Sequence, residues 1–151
     1  MAGVFIGVDV GSASARAGVF DDKGTLLAAA RHSIRIWRDA DGVVEQSSAD
    51  IWSAVAAGVR EAVRHAGVAG PAVRGIGFDA TCSLVVLDDD ARPLAVGPSE
   101  DPQRDIIMWM DHRAVAEAQH INATAHPVLR YIGGVISPEM QTPKLRGRKS
   151  L

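Results

Sequence analysis

The feature that most constrains the fold is a polar bend between two apolar runs near the start of the chain. Residues 3–10 are rich in β-branched side chains, Gly11-Ser12 interrupts them, and a second apolar run is complete by Phe20. Runs of this kind, separated by a few Gly and Ser residues, are typical of strands joined by a tight turn. Because so short a connection permits only antiparallel pairing, we predict strands over residues 3–10 and 14–20, and a third over residues 25–36.

The bend carries polar side chains suited to phosphate and magnesium. Asp9 lies at the end of the first strand, Gly11 and Ser12 form the turn, and Arg16 lies on the second strand. Backbone N–H groups and hydroxyls can bind phosphate oxygens, an arginine can neutralise their charge, and a carboxylate can hold a hydrated Mg²⁺. A hairpin with a merely polar turn is the alternative that these residues leave open.

A helix and two further strands follow. From Ile51 to Val63 an apolar residue recurs every four positions, which predicts one amphipathic helix that ends near His65. Residues 73–80 and 84–87 have the composition of two strands with a bend between them. The stretch Gly75–Ala80 matches the dinucleotide pattern G-x-G-x-x-A, but that motif has to open a helix, and we therefore reject a dinucleotide-binding fold.

The second half of the chain predicts one more strand and one more helix. Residues 105–109 are mostly apolar and predict a short buried strand. A helix is predicted from Asp111 to about Ala125, with Asp111 placed to cap its first turn.

Composition and charge exclude several classes of protein. The net charge of -2 gives no global reason to expect a nucleic acid or an anionic membrane as partner. No stretch approaches the ~20 apolar residues of a membrane helix, and the start of the chain lacks the basic region of a signal peptide. A single cysteine, Cys82, cannot form an internal disulfide, so a cytoplasmic location is the simplest expectation.

Four stretches of the chain together resemble one family. They are Asp9-Val10-Gly11-Ser12 with Arg16, Val43–Gln46, Gly77–Leu84 and Ile107–Arg113. In this order they resemble the amino-terminal part of the FGGY carbohydrate kinases, in the pentulose-kinase branch that includes ribulokinases, and the resemblance extends to Lys144. It implies an α/β fold with a mixed sheet and flanking helices, of the ribonuclease H-like type found in the actin-like ATPase superfamily.

The resemblance also assigns ligands to these stretches. It implies that ATP and Mg²⁺ bind at the first bend through Asp9, Gly11, Ser12 and Arg16, with Asp9 holding the Mg²⁺ through water. It implies that a pentulose binds along the later stretches, through Thr81, Cys82, Ser83, Trp109, Asp111 and Arg113. The stretches most resemble those of D-ribulose kinases, while L-ribulose, xylulose and ribitol stay open as the sugar.

Several of these residues have simpler explanations without the resemblance. Cys82 is then expected to be a small buried side chain, Trp109 a core residue and Asp111 a helix cap. The dipeptide Glu45-Gln46, which the resemblance places near the sugar, can equally be a solvated strand end.

The FGGY kinases are much longer than this chain. They resemble two actin-like domains that close over ATP and a sugar, and the aspartate that acts as their general base lies beyond the end of this sequence. We therefore expect residues 1–145 to be a partial amino-terminal domain and residues 146–151 a basic tail foreign to the family, the result of a frameshift or an early stop. A fragment without the base and the lid is expected to be inactive or nearly so, and no catalytic residue is assigned.

Two other functions stay open. One is a non-enzymatic half-domain that binds a sugar, a nucleotide or another subunit, and whose uncovered edge and face would favour self-association. The other is a metal-dependent nuclease of the ribonuclease H type, with Asp9, Asp79 and Asp111 as a two-metal site. The lack of a basic groove with interleaved aromatic residues is evidence against the nuclease.

Overall fold

A computed structural model describes residues 3–148 of the chain, and these form two compact units. The first unit consists of the residues up to Arg35 together with Ala49–Thr81. The second consists of Ile36–Ser48 and the residues from Cys82 onward. No helix within residues 3–148 is long and apolar enough to cross a membrane.

The first unit contains a regular four-stranded sheet. Its strands are β1 (Val4–Val10), β2 (Ser14–Phe20), β3 (Leu26–Ser33) and β6 (Val73–Ala80). Their order is β3-β2-β1-β6, with β1 antiparallel to β2, β2 antiparallel to β3, and β6 parallel to β1. The prediction of three antiparallel strands is confirmed, although the third ends at Ser33 rather than residue 36 because the chain leaves the sheet there.

Helix α1 (Ser48–His65) covers one face of this sheet. Alternate residues of β1 and β2 point toward the helix and are buried, as the period of two along a strand requires. The core of the unit comprises Val4, Ile6, Val8, Ala15, Ala17, Val19, Ile34, Ala54, Val55 and Ala62. The predicted apolar stripe of the helix therefore packs on the sheet, while Trp52 lies outside it and is exposed.

The opposite face of the sheet, which we call the outer face, carries the other set of side chains. Gly7 lies in register with Gly18 on β2 and with Gly77 on β6, so three neighbouring strands have no side chain in one row. The ring of Phe20 fills part of that row, since a Cβ on Gly18 would lie 2.9 Å from it. The result is a shallow apolar depression on the outer face.

The second unit contains much shorter strands. They are β4 (Trp37–Arg38), β5 (Val44–Gln46), β7 (Leu84–Val85) and β8 (Ile106–Ile107), in the order β4-β5-β8-β7 with every neighbouring pair antiparallel. Its helices are α2 (Val115–Ala123) and α3 (Gln141–Arg148). A small apolar cluster of Ala118, Leu129 and Ile136 packs between segments of this unit.

Four predictions for this unit need correction. The strand predicted over residues 84–87 ends at Val85, and the strand predicted over residues 105–109 extends only over Ile106–Ile107. The helix predicted from Asp111 begins at Val115, and its N-cap residue is Ala114, without a side-chain cap. Asp111 therefore does not cap α2, because its carboxylate is bonded elsewhere.

Candidate functional site

In the first unit the predicted phosphate residues surround the β1–β2 turn. Asp9 and Arg16 are paired across the two strands, and Arg16 Nη2 lies 2.6 Å from Asp9 Oδ2. The Gly11 N–H donates to the Ser14 carbonyl at 3.0 Å, which closes the turn. A Cβ at Gly11 would lie 2.8 Å from Arg16 Nη2, so the glycine leaves room for the guanidinium. Ser12 lies within the turn and is half-buried.

Asp79 joins this group on the neighbouring parallel strand. It lies in register with Asp9, so the two carboxylates stand side by side where β1 and β6 end. Thr81 follows directly, and its N–H donates to the Val10 carbonyl at 3.1 Å. The ATP-site prediction did not include Asp79. Its place at the end of a predicted strand was the one local signal, and that signal does not reveal the parallel pairing with β1.

The outer-face depression opens beside these charges and has a volume of about 510 Å³. Its lining includes Gly7, Gly18, Phe20, Asp9, Arg16 and Asp79. Two carboxylates beside a guanidinium suit a magnesium–phosphate group, because Mg²⁺ binds through one or two carboxylates and the phosphates themselves. The donor set therefore fits the predicted group, with Asp9 and Asp79 as the candidate Mg²⁺ ligands and Arg16 as the candidate phosphate contact.

The three carboxylates considered for a nuclease are divided between the two units. Asp9 and Asp79 are neighbours in the first unit, and Asp111 belongs to the second. Among residues 3–148, no group of three His, Cys, Asp or Glu side chains that could hold a metal ion is found, and the nuclease site stays a prediction.

In the second unit two of the predicted sugar residues are bonded together. Ser83 Oγ accepts a hydrogen bond from the Trp109 N–H at 3.2 Å, which joins the bend before β7 to the segment after β8. Trp109 is half-buried rather than a full core residue. Cys82 is exposed, so the prediction of a small buried side chain is wrong for it.

Asp111 and Arg113 are bonded mainly to each other. The Arg113 Nε lies 3.0 Å and 2.9 Å from the two Asp111 oxygens, and its Nη2 lies 2.8 Å from Oδ2. Asp111 Oδ2 also accepts from the Val44 N–H at 2.9 Å. With 1% of its surface exposed, Asp111 is a buried anchor that ties the segment after β8 to β5.

These two residues are part of a longer row of alternating charges, which we call the buried charge chain. It runs from Asp39, which is exposed, through Arg104, Glu45 and Arg113 to Asp111. Glu45 has no exposed surface; its Oε2 accepts from Arg104 Nε at 2.7 Å and its Oε1 from Arg113 Nη2 at 3.2 Å. Arg104 also pairs with Asp39 and lies over the Trp37 ring, 5.6 Å from its centroid.

The two arginines of the buried charge chain are held charged by their contacts. Burial lowers the pKa of Arg104, but its bonds to Asp39 and Glu45 outweigh burial and raise that pKa above the ordinary arginine value. The pKa of Arg113 is likewise lowered by burial and raised on balance by Asp111 and Glu45. The idea that Glu45-Gln46 is a solvated strand end is therefore wrong, since both residues are buried.

A profile of the N-terminal domain of the FGGY family of carbohydrate kinases matches residues 4–146. The chain belongs to the FGGY family of carbohydrate kinases. The family and the fold predicted from the sequence are thereby confirmed.

Several FGGY proteins are similar to most of the chain. FGGY carbohydrate kinase domain-containing proteins of Xenopus laevis and Homo sapiens are each 50% identical over 141 residues, which is 93% of this chain and 25% of theirs. A D-ribulokinase of Saccharomyces cerevisiae is 45% identical over 148 residues, 97% of this chain and 21% of that protein. The chain therefore spans about a quarter of the length of the curated relatives it matches.

Solved structures support the same fold. The crystal structure of a xylulose kinase from Brucella ovis matches with a TM-score of 0.79 and 25% identity, over 94% of this chain and 28% of that one. A ligand-bound xylulose kinase from Lactobacillus acidophilus matches with a TM-score of 0.70 over 84% of this chain, 24% of that one, at 21% identity.

The buried charge chain predicts that Gly97 cannot accept a side chain. A Cβ at this position would lie 1.9 Å from Glu45 Oε1 and 3.3 Å from Arg113 Nη1. We expect Gly97→Ala to lower the free energy of unfolding by about 1–3 kcal/mol, the usual cost of overpacking a buried site. Urea denaturation of Gly70→Ala is the matched control, because a Cβ at Gly70 would meet nothing within 4 Å. Equal urea midpoints for the two variants would contradict the prediction.

Proposed function

We propose that this chain is the phosphate- and sugar-binding part of an FGGY kinase that transfers the γ-phosphate of ATP to a hydroxyl of a pentulose, with D-ribulose as the sugar. The observation that carries the proposal is the 45% identity to a D-ribulokinase over 97% of the chain. The Gly77–Leu84 and Ile107–Arg113 stretches, which resemble ribulokinases, support the same sugar.

On the phosphate side, the turn between β1 and β2 supplies the contacts. Gly11 and Ser12 offer backbone N–H groups and a hydroxyl, and Arg16 offers a guanidinium to the phosphates. Asp9, with Asp79 beside it, holds the hydrated Mg²⁺, which neutralises phosphate charge when bound. The 2.6 Å contact between Arg16 and Asp9 keeps both groups oriented before a ligand arrives.

On the sugar side, the second unit supplies Cys82, Ser83, Trp109, Asp111 and Arg113, while Thr81 follows directly from β6. Hydroxyl and thiol groups can bond to sugar hydroxyls, and the half-buried Trp109 can form an apolar wall. Asp111 and Arg113 already satisfy most of each other's bonding capacity, so in this proposal they fix the shape of the wall more than they bind the sugar.

Phosphoryl transfer requires a positioned nucleophile and closure around both substrates. No residue in the part of the chain that the structure describes is assigned as the general base. We therefore propose that the chain binds its ligands by itself but does not transfer phosphate at an appreciable rate. This combines the kinase assignment with the half-domain alternative.

Calorimetric titration with Mg²⁺-ATP and with D-ribulose tests this proposal. We expect Arg16→Gln to weaken Mg²⁺-ATP binding by about 10- to 150-fold, since it removes a charge-assisted contact worth roughly 1.5–3 kcal/mol. Arg60→Gln, an exposed change on α1 away from the turn, serves as the control and should leave affinity unchanged. Unchanged affinity in Arg16→Gln would contradict the phosphate assignment, and turnover near the ~1–100 per second of ordinary kinases would contradict the binding-only role.

We also propose that two copies of the chain associate through β6. Within residues 3–148 this strand pairs with β1 on one side and with no strand on the other, so it is an open edge. Ile76 and Phe78 on it are 49% and 60% exposed. Antiparallel pairing about a two-fold axis at Gly77 would set Ile76 of one copy against Phe78 of the other, so the edge is self-complementary.

Sedimentation velocity over a series of protein concentrations tests the self-association. We expect the chain to sediment increasingly as a dimer as its concentration rises, and Phe78→Lys to remain monomeric because a charge on an open edge opposes pairing. Leu27→Lys is the matched control, because Leu27 is 45% exposed on β3 at the opposite edge of the same sheet. A monomeric parent chain, or a dimer lost only in Leu27→Lys, would overturn the assignment to β6.

A further inference from the structure

Helix α3 bonds to the main chain of two separate segments of the second unit. Gln141 Nε2 donates to the Cys82 carbonyl at 2.9 Å. Lys144 Nζ donates to the Met108 carbonyl at 2.5 Å and to the Trp109 carbonyl at 3.0 Å. Because Gln141 and Lys144 are three residues apart in a helix, they lie on one face of α3.

Lys144 is an unusual residue for such a place. It is 4% exposed, whereas lysines are almost never buried unless they are paired. Burial lowers its pKa, and nearby Asp111, Cys82 and Glu139 offset only part of that effect. A buried amine needs hydrogen-bond acceptors, and the two carbonyls provide them. Lys144 and the two carbonyls therefore hold each other in position.

The two segments that α3 contacts also contact each other. Ser83, which follows Cys82, accepts the hydrogen bond of the Trp109 N–H. The Asp111 N–H donates to the Met108 carbonyl at 3.0 Å, so the turn after β8 is closed as well. The Cys82–Ser83 bend, the Trp109 turn and α3 thus form one hydrogen-bonded ring. The side chains that close it are those of Ser83, Gln141 and Lys144.

We propose that Gln141 and Lys144 are positioning residues that hold Ser83 and Trp109 together as a single sugar-binding surface. They act through the main chain of residues 82 and 108–109 and do not touch the sugar themselves. This inference rests on the proposed function, since it assigns the ring to the sugar side of the same site. It goes further in giving α3, which no site prediction included, a role in setting the affinity for the sugar.

The test follows Trp109 fluorescence and sugar binding in the same chain. Trp37→Phe and Trp52→Phe leave Trp109 as the sole tryptophan reporter. In this background Gln141→Glu removes the amide donor without changing side-chain size. Lys144→Met removes the ammonium group that donates both hydrogen bonds of the lysine. Thr142→Val, an exposed change of similar size on the same helix, is the control. Urea denaturation of each variant establishes which of them fold.

We expect Gln141→Glu and Lys144→Met to move Trp109 emission to longer wavelength and to weaken D-ribulose binding by about tenfold, with Thr142→Val unchanged. Emission that stays the same in both variants would overturn the proposal, and so would altered emission with unchanged sugar affinity. If Lys144→Met does not fold, Gln141→Glu decides, because Gln141 is exposed and its loss leaves the core intact. If the parent chain binds no pentulose, the proposed function and the sugar-positioning role fail together, while the emission still shows separately whether the α3 ring exists.

Discussion

The second unit depends on the buried carboxylate of Glu45, which is held between two arginines. Its four strands are two or three residues long, too short for backbone pairing to fix their arrangement. Glu45 lies on β5 and bonds to Arg104 and Arg113, which come from segments 59 and 68 residues away in the chain. A buried ion pair adds little net stability over an apolar core, but it permits only one geometry once it is in place. In this unit the charges therefore determine how the segments are arranged.

The same interaction explains features that otherwise appear unrelated. Gly97 has to lack a side chain because the Glu45 carboxylate occupies the space. Asp111 is buried because it completes the bonding of Arg113 and also accepts the Val44 N–H. The Met108 N–H donates to the Val44 carbonyl at 3.0 Å, so the turn that carries Trp109 is attached to β5 directly. A polar network thus helps to position the site residues of this unit, beside the buried apolar side chains of Ile106, Ile107 and Met108.

The first unit is held together by an apolar core between its sheet and α1. This difference between the units determines what the sequence could predict. Strands β1 and β2 and helix α1 were predicted because their apolar periodicity is local and matches their burial. Strand β6 was predicted from its composition, although most of its residues are exposed. The register of Asp9 with Arg16 follows from the length of the turn between their strands. Asp79 was missed as a neighbour of Asp9 in the ATP site because its position depends on parallel pairing between distant segments.

In the second unit the local sequence patterns were misleading, because the contacts that decide the structure join segments that are distant in the sequence. Asp111 has the residue type and spacing of a helix cap, yet Arg113 and Val44 bind its carboxylate more effectively and α2 begins later. Glu45 follows an apolar pair in a way typical of a solvated strand end, and nothing adjacent in the sequence indicates that Arg104 and Arg113 will surround it. Similarly, no local pattern indicates that Lys144 will bond to carbonyls more than thirty residues away.

The most direct test of this account is a double-mutant cycle on Glu45→Gln and Arg113→Gln, measured by urea denaturation. If the buried charge chain determines the arrangement of the second unit, each single variant takes a hydrogen-bond partner from the buried groups that remain and should lose about 1–3 kcal/mol of stability. The double variant should then lose less than the sum of the two single losses by at least ~1 kcal/mol. Additive losses that agree within ~0.5 kcal/mol would contradict the account, because they would show that the two residues stabilise the chain independently.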